Sequence, residues 1–278
     1  MGGVDESRTA VLPALVSNFS HHISAGLADG TTITGQNAIS HPGAPTALQP
    51  PNGDEPPFTT DASGIEDANP PDSLPVLREP QIAFSKTTEE PLPSRISRIW
   101  YINPYGQEMR PAANPKVLEA LRAADAVIYS IGSLYTSLLP SLILRGVGEA
   151  LTHTPTLRFK ILILNGSLDR ETGHFTAQDF IAAIARGGEE SQGRFGEASP
   201  HVWGSYVSHL IYVEGDDTPS VEKEELGRWG VECVRVYGRK SGEDGVTRYD
   251  GKGLAAALGA ILGRRDGRSR SRRNTLEM

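Results

Sequence analysis

The spacing of apolar and polar positions changes along this chain, and the changes mark out its elements. Val11 to Val16 is a short apolar run near the start. HHISAGLADGTTITGQ then alternates on either side of Asp29-Gly30, a dipeptide suited to the positive-φ positions of a tight turn, so a β-hairpin is predicted. SRISRIWYIN (94–103) reads as a strand. Asn114-Pro115 opens a helix, with Asn capping and Pro in the first turn where its missing N–H costs nothing; Val117, Leu118, Leu121 and Ala124 share one face. DAVIYS (125–130) is a buried strand ending in Ile131-Gly132-Ser133, and a helical stretch follows towards Leu144. RFKILILN (158–165) is the next strand, followed by the loop GSLDRETGHF. Thr176 then caps a helix with Asp179 at its third position, a shortened capping box, and Phe180, Ile181 and Ile184 form its apolar face. SHLIYVEG (208–215) and VECVRVY (231–237) are further strands, with helices near 220–229 and 251–263.

Apolar strands alternating with helices predict an α/β fold, with a mainly parallel sheet covered by helices on both faces over 96–263. The strands at 125–130 and 158–165 are expected to be neighbours in it. The N-terminal hairpin adds a small β element.

Composition alters this picture in one place. Residues 41–95 hold twelve of the 20 prolines, and their nine acidic and three basic side chains give a balance of −6. So little apolar surface cannot offset chain entropy. The expected division is therefore 1–42, an N-terminal β portion; 43–93, a disordered Pro-rich insert; 94–263, the α/β domain; and 264–278, a basic disordered tail. That tail carries six Arg against Asp266 and Glu277, within a chain of net charge −7. The remainder is mildly acidic, so it has no electrostatic footprint for nucleic acid.

Several chemistries are excluded. Apolar stretches are too short to span a bilayer, and the acidic MGGVDESR start is not a signal peptide. Cys233 is the single cysteine, and the seven His are scattered, so neither a disulfide nor a zinc motif is available. A cytoplasmic chain is expected. No G-x-S-x-G elbow is present, and no catalytic residue is legible.

Parallel sheets bind ligands outside the carboxyl ends of their strands, which singles out two loops. In SIGSLYTS (130–137), Gly132 permits close backbone approach, a helix start offers N–H groups, and Ser133, Thr136 and Ser137 add hydroxyls for an anion. An ordinary strand–helix turn fits the same residues. In NGSLDRETGHFT (165–176), Asp169, Arg170, Glu171 and His174 bring charge nearby, with Asp179 just beyond, although a solvated turn is the plainer reading.

Four segments carry a resemblance: VLPALVSN with DGTTITGQNAISHP (11–42), PLPSRISRIWYINP (91–104), GSLYTSLLPSLILRGVGEAL (132–151) and LNGSLDRETGHFTAQDFIAAI (164–184). In order and spacing the chain resembles the 2-phospho-L-lactate transferase (CofD) family and its regulatory relatives of the gluconeogenesis-factor type, nearest to a fungal branch. The resemblance implies a Rossmann-like fold that holds a phosphorylated or nucleotide-linked small molecule. It implies either phospho-lactyl-type transfer from a guanosine diphosphate carrier to a deazaflavin alcohol, with Mg²⁺, or binding of a UDP-sugar without turnover. By motif, Gly132, Ser133, Leu134, Tyr135, Thr136 and Ser137 would form the ligand loop, with Asn165, Thr176 and Asp179 beside it. Family members begin with a GGTG- or GGTA-type loop followed by Asp-Asp-Gly-Gly, whereas MGGVDESRTA precedes Val11 here. The expectation is a part of the ligand site without its Gly-rich loop, little or no transferase activity, and an uncovered sheet edge or face that favours homo-oligomers.

Overall fold

A computed structural model describes residues 9–40, 73–74, 77, 91–240 and 247–273, with side chains to 263. The chain divides into two compact units, one of residues 17–110 and one of 1–16 with 111–278.

The 17–110 unit is an antiparallel sheet. Strands β1 (His22–Leu27) and β2 (Thr32–Thr34) form the predicted hairpin, followed by a short helix α1 (Gln36–Ser40). Gly30 has φ 88°, and the Asp29 carboxylate accepts the Thr31 N–H at 2.9 Å and its hydroxyl at 2.7 Å. These bonds fix the turn within itself. Strands β3 (Ile96–Ile102) and β4 (Glu108–Met109) extend the sheet in the order β2-β1-β3-β4. Ser24 faces Trp100 and Ala25 faces Ile99, antiparallel. The strand predicted at 94–103 therefore belongs to this sheet and not to the parallel one. Its residues explain why: Ile96, Ile99 and Ile102 are buried, while Ser97 donates to the Gly26 carbonyl and Arg98 pairs with Glu108. A central parallel strand, covered on both faces, has no room for such polar positions.

Most of the segment expected to be disordered lies outside the described residues. Within it, Leu74 donates its N–H to the Pro104 carbonyl at 2.9 Å, and Ser73 is buried. A short part of the insert therefore packs.

The second unit holds the predicted parallel sheet. Helix α2 (Pro115–Ala123) starts where expected: the Asn114 side chain accepts the Lys116 N–H at 3.0 Å, and its amide donates to the Pro13 carbonyl at 2.9 Å. Strand β5 (Ala126–Tyr129) follows, then a π-helical turn (Leu134–Leu138), α3 (Leu139–Leu142) and α4 (Val147–His153). Next come β6 (Phe159–Ile163), α5 (Ala177–Ser191), α6 (Trp203–Tyr206), β7 (His209–Tyr212), α7 (Lys223–Arg228) and β8 (Glu232–Arg235). A hairpin, β9 (Gly238–Lys240) with β10 (Thr247–Tyr249), leads into α8 (Gly251–Arg273). The sheet order is β5-β6-β7-β8, every pair parallel, with Ile128 beside Ile161 and Leu210 beside Cys233. The predicted neighbours are thus paired.

Helices cover the two faces. Ile161, Ile211 and Val236 meet α8 through Leu254, Ala257, Leu258, Ile261 and Leu262, spaced as one helical stripe. Helices α4, α5 and α6 pack with one another and carry Tyr206, whose carbonyl accepts the Tyr129 hydroxyl at 2.8 Å. Where α4 crosses α5, a Cβ on Gly148 would lie 2.0 Å from the Gly188 carbonyl oxygen, so only glycine fits. Two boundaries differ from expectation. The stretch after Gly132 begins as a π turn and not as an α-helix, and α8 continues to Arg273, so the tail is helical over 264–273.

Candidate functional site

The carboxyl ends of the parallel strands are not equally open. Above β6 and β7 sits β10: the backbone carbonyl of Thr247 would lie 2.4 Å from a Cβ on Gly166, and its hydroxyl 2.6 Å from one on Gly215. Tyr249 aims its hydroxyl at the Leu164 and Ile211 carbonyls, at 2.6 and 3.1 Å. Glycine at these positions lets the hairpin close that end of the sheet. Among the described residues, the end of β5 beside β6 stays accessible: Gly132 and Ser133 are half-buried and Ser137 is exposed. Asn165, at the end of β6, donates from Nδ2 to the Gly132 carbonyl at 3.2 Å and so joins the two loops. Beside them runs a groove of about 340 Å³ along β5. Ser130, Gly132, Ser137 and Ser141 give it a polar rim, and Val117 and Leu121 of α2 help to form its apolar walls.

The remaining residues singled out in the sequence are placed differently. Leu134 and Tyr135 are buried, with Tyr135 meeting Phe175 edge to face at 6.1 Å and Phe175 meeting Phe180 likewise at 5.9 Å. They fasten the loop to the core and present no side chain to solvent. Thr176 and Asp179 form the predicted capping box: Asp179 accepts the Thr176 N–H at 2.8 Å and donates its own N–H to the Thr176 hydroxyl oxygen. Their polar atoms serve the start of α5.

Thr136 is bonded to a residue that sequence reasoning left among ordinary loop charges. Glu171, 3% exposed, accepts the N–H groups of Tyr135 at 2.8 Å and Thr136 at 3.2 Å and the Thr136 hydroxyl at 2.5 Å. The donors expected to greet an external anion at Tyr135 and Thr136 are therefore taken by the chain's own carboxylate. Burial pushes the Glu171 carboxyl above its usual range, and the three hydrogen bonds pull the other way. The loop that carries it is itself braced. Asp169 accepts the Thr172 N–H at 3.0 Å and hydroxyl at 2.6 Å, and Leu168 donates its N–H to the Asp217 carbonyl. His174 is exposed.

Among the described residues no group of three or more His, Cys, Asp or Glu side chains could hold a metal ion. The donor set around Gly132 is made of hydroxyls, an amide and backbone, which suits an anion better than Mg²⁺. Among the described residues, too, no helix is long and apolar enough to cross a membrane.

Comparison with known proteins agrees with this architecture. An uncharacterized protein of Saccharomyces cerevisiae is 34% identical over 251 residues, covering 81% of this chain and 56% of that protein. The gluconeogenesis factor of Bacillus subtilis is 30% identical over 164 residues, covering 53% of this chain and 46% of its own length. The chain thus spans about half the length of these two relatives. A crystal structure of a Bacillus halodurans protein matches the fold with a TM-score of 0.55 at 21% identity, covering 90% of this chain and 62% of that one. The family model described as 2-phospho-L-lactate transferase CofD matches residues 3–231, and the chain belongs to that family.

Proposed function

We propose that this chain binds a phosphorylated or nucleotide-linked small molecule between the ends of β5 and β6. The observation that carries the reading is the opening left there. Gly132, Ser133 and Ser137 stand on one side, Asn165 on the other, and the groove along β5 continues from them. The charged part of the ligand would lie against the backbone of Gly132 and Ser133 and the Ser133 hydroxyl, and its uncharged body would enter the groove. The reaction class named for the family is transfer of a phospho-lactyl-type group. In such a reaction these residues would bind and orient the phosphate, and any Mg²⁺ would arrive with the phosphate oxygens. Leu134, Tyr135 and Thr136 shape the loop from behind, while Asn165 keeps its register to β6.

A second reading has its own support. The Bacillus subtilis relative is named a gluconeogenesis factor. A regulator that binds a UDP-sugar without turnover would use the same opening. In either case we place the protein in the cytoplasm.

Native mass spectrometry of the purified chain looks for a co-purifying nucleotide, and calorimetric titrations with GDP and with UDP-glucose compare the two readings. Binding of GDP supports the transferase reading, and binding of UDP-glucose alone supports the regulator. Gly132→Val tests the position. A Cβ there already comes within 3.2 Å of the Ser137 Cβ, so a branched side chain must displace Ser137 and narrow the opening. Affinity is expected to fall about ten-fold or more, since small misplacements of binding groups are costly. Unchanged affinity would remove the ligand from this opening.

A further inference from the structure

We propose that Glu171 is the positioning residue of this site: its buried carboxylate clamps Tyr135 and Thr136 from behind and so holds the 132–137 loop with its Gly132–Ser133 end facing outward. The inference rests on the ligand reading above for the purpose of the clamp, while the clamp itself stands on geometry. A five-residue π turn starts with N–H groups that have no partner inside the turn, and burying them without an acceptor is costly. Carboxylate is the side chain best suited to satisfy several donors, because when ionised it only accepts. Here both of its oxygens are used, one by the two N–H groups and the other by the Thr136 hydroxyl.

The clamp is rigid because its own loop is held at several points. Thr172, next to Glu171, is fully buried and bonded to Asp169. Phe175 donates its N–H to the Thr172 carbonyl and packs its ring on Tyr135, so the aromatic contact and the carboxylate fix the same residue. Ala177 donates its N–H to the Ser220 carbonyl, and Leu168 to that of Asp217, which tie both ends of the loop to the segment after β7. Moving this loop away from the segment after β7 would break both of those ties.

The consequence for a ligand is specific. It does not compete for the Tyr135 and Thr136 donors. It meets only the part of the loop in front of them, whose shape Glu171 sets. Glu171 touches no ligand; it acts through Tyr135 and Thr136.

Hydrogen–deuterium exchange on the full chain reads the clamp without any ligand. In Glu171→Ala, exchange over 132–138 is expected to rise about ten-fold or more, with β6 and β7 unchanged. Glu171→Gln, whose carbonyl can still accept the two N–H groups, is expected to restore most of the protection. GDP and UDP-glucose affinities, by calorimetry, should follow the same order. Should Glu171→Ala fail to fold, Thr136→Val deletes only the hydroxyl contact and allows the same comparison. Unchanged exchange over 132–138 overturns the proposal, and so does a rise spread equally over β6 and β7. A loosened loop with unchanged affinity also overturns it, leaving Glu171 a mere cap. If the unaltered chain binds neither probe, the ligand reading fails, and the exchange result still decides whether Glu171 sets the loop.

Discussion

At the scale of single residues, space decides more than polarity. The Gly148 and Gly188 backbones touch where α4 crosses α5, and the Gly148 N–H donates to the Ser191 hydroxyl oxygen at 2.7 Å in the same contact. A methyl group on Gly148 would meet a carbonyl oxygen, which cannot rotate away as a side chain could. Gly148→Ala is therefore expected to cost about 1–3 kcal/mol, read from the midpoint of urea unfolding. Gly227 in α7 is the counter-case, since nothing lies within 4 Å of a Cβ there. Gly227→Ala is expected to raise stability by about 0.4–1 kcal/mol through the loss of unfolded-state freedom. Equal effects from the two would show that the helix crossing can spread, and that the close contact is not what selects glycine.

At the scale of elements, what was legible depended on whether an element's pattern is local. The α8 stripe from Leu254 to Leu262 follows from i, i+3, i+4 spacing alone, and Asp250 caps the helix by accepting the Gly253 N–H at 3.0 Å. Strand existence at 96–102 was legible too. Its partner was not, because period and composition describe one strand's faces and not which strand lies beside it. The π turn was the least legible. Its hydrogen-bond shift is set with Glu171, 35 residues away from Thr136, and one carboxylate among Asp169, Arg170 and His174 carries no local sign of burial. The only available hint was that both loops follow strands of one parallel sheet, so that their tips had to meet. The α8 stripe gives a direct test. Ile261 is 2% exposed against Ile161 and Ile211, and Ile261→Ala is expected to cost about 2–5 kcal/mol in chemical denaturation. A cost below half a kcal/mol would mean that α8 contributes little to covering this face.

At the scale of the molecule, the parallel sheet ends in two different edges. Strand β8 carries Glu232 and Arg235, and Arg235 pairs with Glu214 at 2.8 Å, so charge guards that side. Strand β5 at the other end has no charge from Ala126 to Ile131, and Ile128 and Ile131 are 41% and 48% exposed. Beside it, Val117, Leu118 and Leu121 of α2 are only half-buried. Among the described residues no strand pairs with the outer side of β5. An edge without Lys or Pro to blunt it is a template for another strand. A second copy of the chain is one strand such an edge could take, since two uncharged β5 edges related by a two-fold axis would meet without like-charge repulsion. Sedimentation velocity over a concentration series is expected to show a monomer–dimer equilibrium. Ile128→Lys should shift it to monomer, because it places a positive charge on both otherwise uncharged edges. Ile128 is 41% exposed, and the unfolding midpoint of the variant, measured alongside, separates lost association from lost folding. A dimer that survives Ile128→Lys would move the interface away from β5, and a monomer at every concentration would leave this edge to some other strand.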